Sequence, residues 1–167
     1  ALQRIAGALH AKPADADVAV AALIEKNQSL EREIAQFKHK IALAQSASLL
    51  SMGITIDNVK VLAVQTEADD VESMRQMTDF LRDRMESGVI AIGAVIDDRP
   101  MLVVTVTPDL IPRGMHAGNL VKAIAPLIGG GGGGKPNLAQ AGGKDATRLR
   151  DALAAAIEWV QANLKQA

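Results

Sequence analysis

Six consecutive glycines, Gly129–Gly134, run into Lys135-Pro136-Asn137-Leu138-Ala139-Gln140-Ala141-Gly142-Gly143-Lys144. Each glycine loses more backbone freedom on ordering than any other residue. A disordered linker carries such a run without cost, but this one joins two patterned apolar segments inside one region. An ordered loop uses glycines where the backbone takes positive φ, or where it comes close to another backbone or a phosphate. The ordered loop is the reading adopted. Gly129, four residues and Gly134-Lys135 approximate a nucleotide-triphosphate loop, but Pro136 stands where that loop needs a Ser or Thr hydroxyl for magnesium. A helical pattern, moreover, precedes the run where the nucleotide loop follows a strand. Lys135, Asn137 and Gln140 add one ammonium and two amides, groups that bond phosphates, ribose hydroxyls and base edges.

Little else in the chain is equipped for chemistry. It has 167 residues, no cysteine and three scattered histidines, His10, His39 and His116. Thiolate catalysis, disulfides and thiolate-bound zinc are therefore excluded, and no metal site is expected. Phe37, Phe80 and Trp159 are the only aromatics, too few for a single-strand stacking platform. No apolar run approaches the roughly 20 residues of a membrane span. A formal charge of −1 hides an asymmetry. Residues 51–112 carry five bases, Lys60, Arg75, Arg82, Arg84 and Arg99, against eleven acids, a net of −6, with Arg82 and Arg84 among acids as a solvated face. Residues 113–150 carry Arg113, Lys122, Lys135, Lys144, Arg148 and Arg150 against Asp145 alone, a net of +5. A basic block beside a glycine run points to an anionic partner.

The elements that must position these residues fall into a helical subdomain, residues 1–52, and a globular one, residues 53–167. Residues 1–10 read as the tail of a helix with Leu2, Ile5 and Leu9 on one face. Beginning in mid-pattern suggests a cut from something longer, removal of an initiator Met before Ala1 being the alternative. After Lys12-Pro13, Asp15 or Asp17 caps a second helix that meets no Gly or Pro until Gly53, on the order of 50 Å long. Its Val20, Leu23, Asn27, Leu30, Ile34, Phe37, Ile41, Ala44 and Ser48 form an alternating 3–4 seam. Only the short first helix is available to cover that seam within this chain. Either an antiparallel hairpin is truncated by the cut or a second copy supplies the missing face, and a helical hairpin that also dimerises is expected. Oligomerisation is assigned to Leu23, Leu30, Ile34, Phe37 and Ile41.

In the globular subdomain, Lys60–Thr66, Gly88–Ile96 and Met101–Thr107 read as buried strands, the last two joined by a tight turn at Asp97-Asp98-Arg99-Pro100. Between the first two, Val71, Met74, Met77, Leu81 and Met85 recur at helical spacing, with the methionines as core filler. Ala117–Ile128 and Lys144–Gln166 complete the set as helices, Pro126 marking the end of the former. The fold class is α+β or α/β, a long-helix hairpin followed by a small mixed sheet flanked by helices.

The string from Gly129 to Gly143, between an apolar helix and a terminal amphipathic one, resembles the signature of the DHH-associated domain. More closely, it is similar to the version that closes alanyl-tRNA synthetases, approximately Gly-Gly-Lys-Gly-Gly-Gly-Arg/Lys-Pro-x-x-Ala-Gln-x-Gly-Gly. Gly129, Gly130, Gly132, Gly133, Gly134, Lys135, Pro136, Ala139, Gln140, Gly142 and Gly143 match it, and the order of elements fits over essentially the whole chain. Gly131 stands where the family has Lys, which removes a phosphate contact.

The resemblance implies a non-catalytic, cytoplasmic C-terminal module that binds tRNA(Ala) at its outer corner, self-associates as a homodimer through the long helix, and links the upstream aminoacylation and editing domains. It implies no cofactor in this segment, the parent enzyme using ATP, magnesium and zinc. The residues assigned to nucleic acid are Gly129, Gly130, Gly132, Gly133, Gly134, Lys135, Asn137, Gln140, Lys144, Arg113 and Lys122. Lys144, Arg148 and Arg150 equally suit a solvated helix, His116 a cap, and Gly142-Gly143 a structural turn. The alternatives are a module for oligomerisation only, or the nucleic-acid-binding domain of a DHH-type phosphoesterase.

Overall fold

The computed structural model describes Gln3, Gly7, Ala8 and residues 12–164, with side chains for all of these except 13, 35 and 37–47. Two compact units are present, Ala1–Ala44 and Gln45–Ala167. The chain is α+β, a long helix followed by a six-stranded mixed sheet with helices on both faces.

Pro13 opens a single 3-10 turn, Pro13–Asp15, that leads into helix α1, Ala16–Ser51. Its 36 residues extend about 54 Å at 1.5 Å per residue. Within the first unit Leu23, Leu30 and Ile34 are exposed at 55%, 45% and 54%, so nothing described covers this part of the expected seam. Ile24, off the seam, is equally bare at 53%. Asn27 donates to Glu31 one turn on, 3.3 Å away. Leu2, Ile5 and Leu9, on which the first arm of the expected hairpin rested, lie outside the described residues, as do the side chains of Phe37, Ile41 and Ala44.

In the second unit the strands are β1 (Ile54–Ile56), β2 (Val59–Gln65), β3 (Gly88–Ile96), β4 (Arg99–Val106), β5 (Gly131–Gly134) and β6 (Leu138–Gly142), ordered β1-β2-β3-β4-β6-β5. Only β2 and β3 pair in parallel, joined by the crossover helix α2, Val71–Arg82. Asp70 caps α2 by accepting from the Ser73 N–H at 2.7 Å, satisfying one of the orphan donors of the first turn. Helices α3, Ala117–Ile124, and α4, Leu149–Leu164, cover the opposite face.

The central strands read as unbroken apolar runs because both faces are buried. On β3, Ile90, Ile92 and Ala94 pack with Met74 and Leu81 of α2, whereas Val89 and Ala91 join Leu120, Val121, Leu149 and Val160 on the other side. The methionines are core filler: Met74 of α2 is fully buried, and Met77 of α2 and Met85, beyond the end of that helix, pack around the same cluster.

Several boundaries differ from the sequence-based expectation. The β3–β4 turn is the pair Asp97-Asp98, at φ 49° and 61°, and Arg99 and Pro100 already belong to β4. The same positive-φ pair at Asp57-Asn58 makes a second hairpin and supplies β1, which the reading missed. Helix α3 stops at Ile124, and Ala125–Ile128 tightens into a 3-10 turn containing Pro126, whose missing N–H cannot continue the α ladder. Helix α4 begins at Leu149 rather than Lys144, after a 3-10 turn, Ala146–Arg148, capped by Asp145. The main correction concerns the glycine run: it is a strand, not a loop. Gly131–Gly134 form β5, the sheet's edge, paired antiparallel with β6 through Gly131↔Gly142 to Gly134↔Ala139.

Candidate nucleic-acid interface

Glycine at this edge answers two demands. At Gly129, φ is 64°, a left-handed conformation that ends the 3-10 turn, with its N–H donating to Pro126. Along β5 the demand alternates. A Cβ at Gly130, Gly132 or Gly134 would run into the backbone of the facing strand, at Gly142, Gln140–Ala141 and Leu138–Ala139 respectively. A Cβ at Gly131 or Gly133 would meet nothing within 4 Å. The strand thus lies closer to β6 than any side chain on its inner positions permits, while its outer positions are open.

The hairpin is held from several sides. Lys135 N–H donates to the Leu138 carbonyl at 2.9 Å, closing the turn, and Ala117 N–H at the start of α3 donates to Pro136 at 2.8 Å. Gly130 N–H reaches Ala125, and Lys144 and Asp145 N–H both reach Ile128. Since Lys135 N–H donates across to Leu138, alternation directs the N–H groups of Gly131 and Gly133 to β6 as well. Those of Gly132 and Gly134 face the outer edge. Gly143 donates to Pro100 at 2.9 Å, and a Cβ there would strike Ile128, so the Gly142-Gly143 pair has a structural role.

Residues 138 and 140 of β6 face the α2 layer, and Ala139 and Ala141 face α3 and α4. On the α2 side a cleft of about 370 Å³ is lined by Gly133, Gly134, Lys135, Asn137, Leu138 and Gln140, together with Arg75 of α2. Lys135, Asn137 and Gln140 are exposed around it. Arg75 donates through Nη2 to Gln140 Oε1 at 2.6 Å. From the sequence Arg75 is only one of five bases in a net-acidic segment, with no link to the hairpin. One neighbour fits that reading: Glu72 Oε2 lies 3.6 Å from Arg75 Nη1.

The remaining assigned cations do not line this cleft. Arg113 is exposed in the turn before Gly114, Lys122 is exposed in the last turn of α3, and Lys144 is exposed at the opposite end of the hairpin. Arg148 is paired with Asp151 at 2.5 Å, and Arg150 donates to Gln65 at 3.4 Å. His116 is the N-cap residue of α3 but makes no side-chain capping bond. Arg82 bridges Asp79 and Asp83, and Arg84 stacks over the Phe80 ring at 3.4 Å, which accounts for both as surface pairs. Among the described residues no cluster of three His, Asp or Glu side chains is arranged to hold a metal ion, and no helix is long and apolar enough to cross a membrane.

Residues 58–162 match the family model for the DHHA1 domain. The alanine–tRNA ligase of Pelotomaculum thermopropionicum is 44% identical over 164 residues, covering 98% of this chain and 19% of that protein. The Desulforamulus reducens enzyme of the same name is 43% identical over 144 residues, 86% of this chain and 16% of its own. The chain therefore spans less than a fifth of the length of these curated relatives. Among solved structures, the C-Ala domain of Aquifex aeolicus alanyl-tRNA synthetase superposes with a TM-score of 0.58 at 23% identity, over 67% of this chain and 96% of that one. At that identity the likeness is one of fold.

Proposed function

The chain belongs to the DHHA1 domain family, and from that premise we propose that it is a non-catalytic C-terminal module of an alanine–tRNA ligase. In this reading the face built on the glycine hairpin holds the outer corner of a folded tRNA, tRNA(Ala), and helps upstream domains of the same chain, with their ATP, magnesium and zinc chemistry, to share one substrate. The observation that carries it is the exposed trio Lys135, Asn137 and Gln140 around a single cleft on an anchored hairpin. Folded RNA is gripped through phosphates and 2′-hydroxyls without aromatic stacking, which suits a surface of amides, one ammonium and bare glycine backbone. Arg113, Lys122 and Lys144 add long-range attraction from outside the cleft.

The test is tRNA binding measured against salt. Lys135→Ala and Arg113→Ala should each weaken binding and flatten the slope of log K against log salt by about one. Slopes and affinities identical to those of the unmodified chain would remove this surface from consideration.

A second reading, self-association, is favoured by one observation: Leu23, Leu30 and Ile34 lie bare on α1. A second copy offering the same face would bury them as a seam. Sedimentation should then show a concentration-dependent dimer that Ile34→Lys abolishes. A monomer at every concentration would count against the seam.

A further inference from the structure

We propose that Arg75 is a positioning residue for the cleft: by holding the oxygen of Gln140 it fixes the orientation of that amide and leaves its NH2 group to donate, so that the cleft favours a phosphodiester oxygen anion. The inference rests on the RNA-binding reading for the identity of the polymer, but not for the chemistry of the group bound.

An unrestrained glutamine amide is ambivalent, offering one acceptor and two donors. A guanidinium has five donors and no acceptor, so the Gln140 atom lying 2.6 Å from Arg75 Nη2 is necessarily the oxygen. The amide nitrogen remains, and no described group accepts from it. Around the same cleft Lys135 contributes an ammonium. Arg75 Nε is buried without a hydrogen-bond partner among the described residues, so the guanidinium charge beneath Gln140 is incompletely neutralised. No carboxylate lines the cleft; the nearest competitor is Glu72, at 3.6 Å from Nη1 and largely exposed. An anion arriving here meets donors from β6 and from the turn between β5 and β6, with the Arg75 charge of α2 behind them. The bond spans 65 residues of sequence, so it also ties a helix of the net-acidic segment 51–112 to a hairpin of the net-basic segment 113–150.

The experiment follows the Gln140 side-chain amide in nitrogen-15 spectra of the 167-residue chain, titrated with inorganic phosphate at constant ionic strength and, separately, with folded tRNA. Phosphate should shift the Gln140 side-chain amide signals. Arg75→Lys keeps the charge but not the fork, and should raise the apparent dissociation constant about tenfold, the loss of one charge-assisted bond. Gln140→Glu keeps an acceptor for Arg75 while presenting an anion. Having no side-chain amide, it is read at the backbone N–H signals of Lys135 and Asn137. Phosphate should shift these in the unmodified chain and leave them unmoved in this variant, with the core signals unchanged in both. An absent response in the unmodified chain, or an equal response in Arg75→Lys, overturns the proposal. If phosphate binds as described and tRNA does not, the RNA reading falls and the positioning role stands. If tRNA binds all three proteins equally, the positioning role falls and the RNA reading stands.

Discussion

Gly118 of α3 packs against the carbonyl of Gly134 so tightly that a Cβ at position 118 would lie 2.9 Å from that oxygen. The contact is backbone to backbone, so neither partner can swing away. Together with the Ala117–Pro136 bond it makes the start of α3 the clamp that sets where the glycine hairpin sits. Gly118→Ala gains about 1 kcal/mol of helix propensity but forces the hairpin outward at about 1–3 kcal/mol. A net loss of stability is expected, seen as a lower urea midpoint with an unchanged m-value, and weaker tRNA binding should accompany it.

Alternation along β5 separates tolerated from forbidden side chains. Gly132→Ala drives a methyl into Gln140 and Ala141 and should destabilise by about 1–3 kcal/mol. Gly131→Ala, at an open position, should be neutral or stabilising by up to about 1 kcal/mol. Thermal melts of the two variants side by side decide the matter, and equal losses at both sites would contradict the strand geometry.

Because position 131 has room, Gly131→Lys is sterically free and adds a cation on the exposed edge. The slope of log K for tRNA against log salt should steepen by about one, with folding unaffected. An unaltered slope would mean that no phosphate passes this edge.

Two carboxylates impose a pH dependence. Hydrogen bonding from the Ser73 N–H holds Asp70 below the ordinary carboxylate range, and Thr147 does the same for Asp145. Both pKa values are depressed in the folded state, so their contribution is fully present above about pH 4, the unfolded value. It is lost as pH falls through the lower folded values. Melting temperature should therefore drop on acidification below pH 4, and Asp70→Asn, which keeps the capping oxygen without the titration, should shallow that drop.

Met74 is fully buried between α2 and the sheet. Met74→Ala should cost about 2–5 kcal/mol, whereas Met74→Leu, close in volume, should cost less than about 1.5 kcal/mol. Denaturant midpoints measure both.

Periodicity made most of this architecture legible. The runs at residues 60–66, 88–96 and 101–107, the Met-rich α2 and the terminal helix all sit where apolar spacing puts them, because each buries its face against the sheet or is itself the buried sheet. Strand β1 escaped because three residues are too few to show alternation, although Asp57-Asn58 repeats the chemistry of the turn at Asp97-Asp98. The strand character of Gly131–Gly134 carried no signal: a strand without side chains has no pattern, and glycine's usual meaning is a turn. Its identity comes from β6, whose Leu138 and Gln140 alternate with Ala139 and Ala141. Arg75 was invisible for another reason, since its bond to Gln140 depends on how α2 lies over the sheet, which no local spacing encodes.

An outermost strand made of glycine alone gives the sheet a border with no alphabet. Whatever settles along it is felt only as contour and charge, at the depth of the peptide itself, and every ligand that presents the same curve is met alike. For a ligand laid along this rim, discrimination would therefore fall to the few side chains at its turn, where a single exchange would matter more than any along the strand.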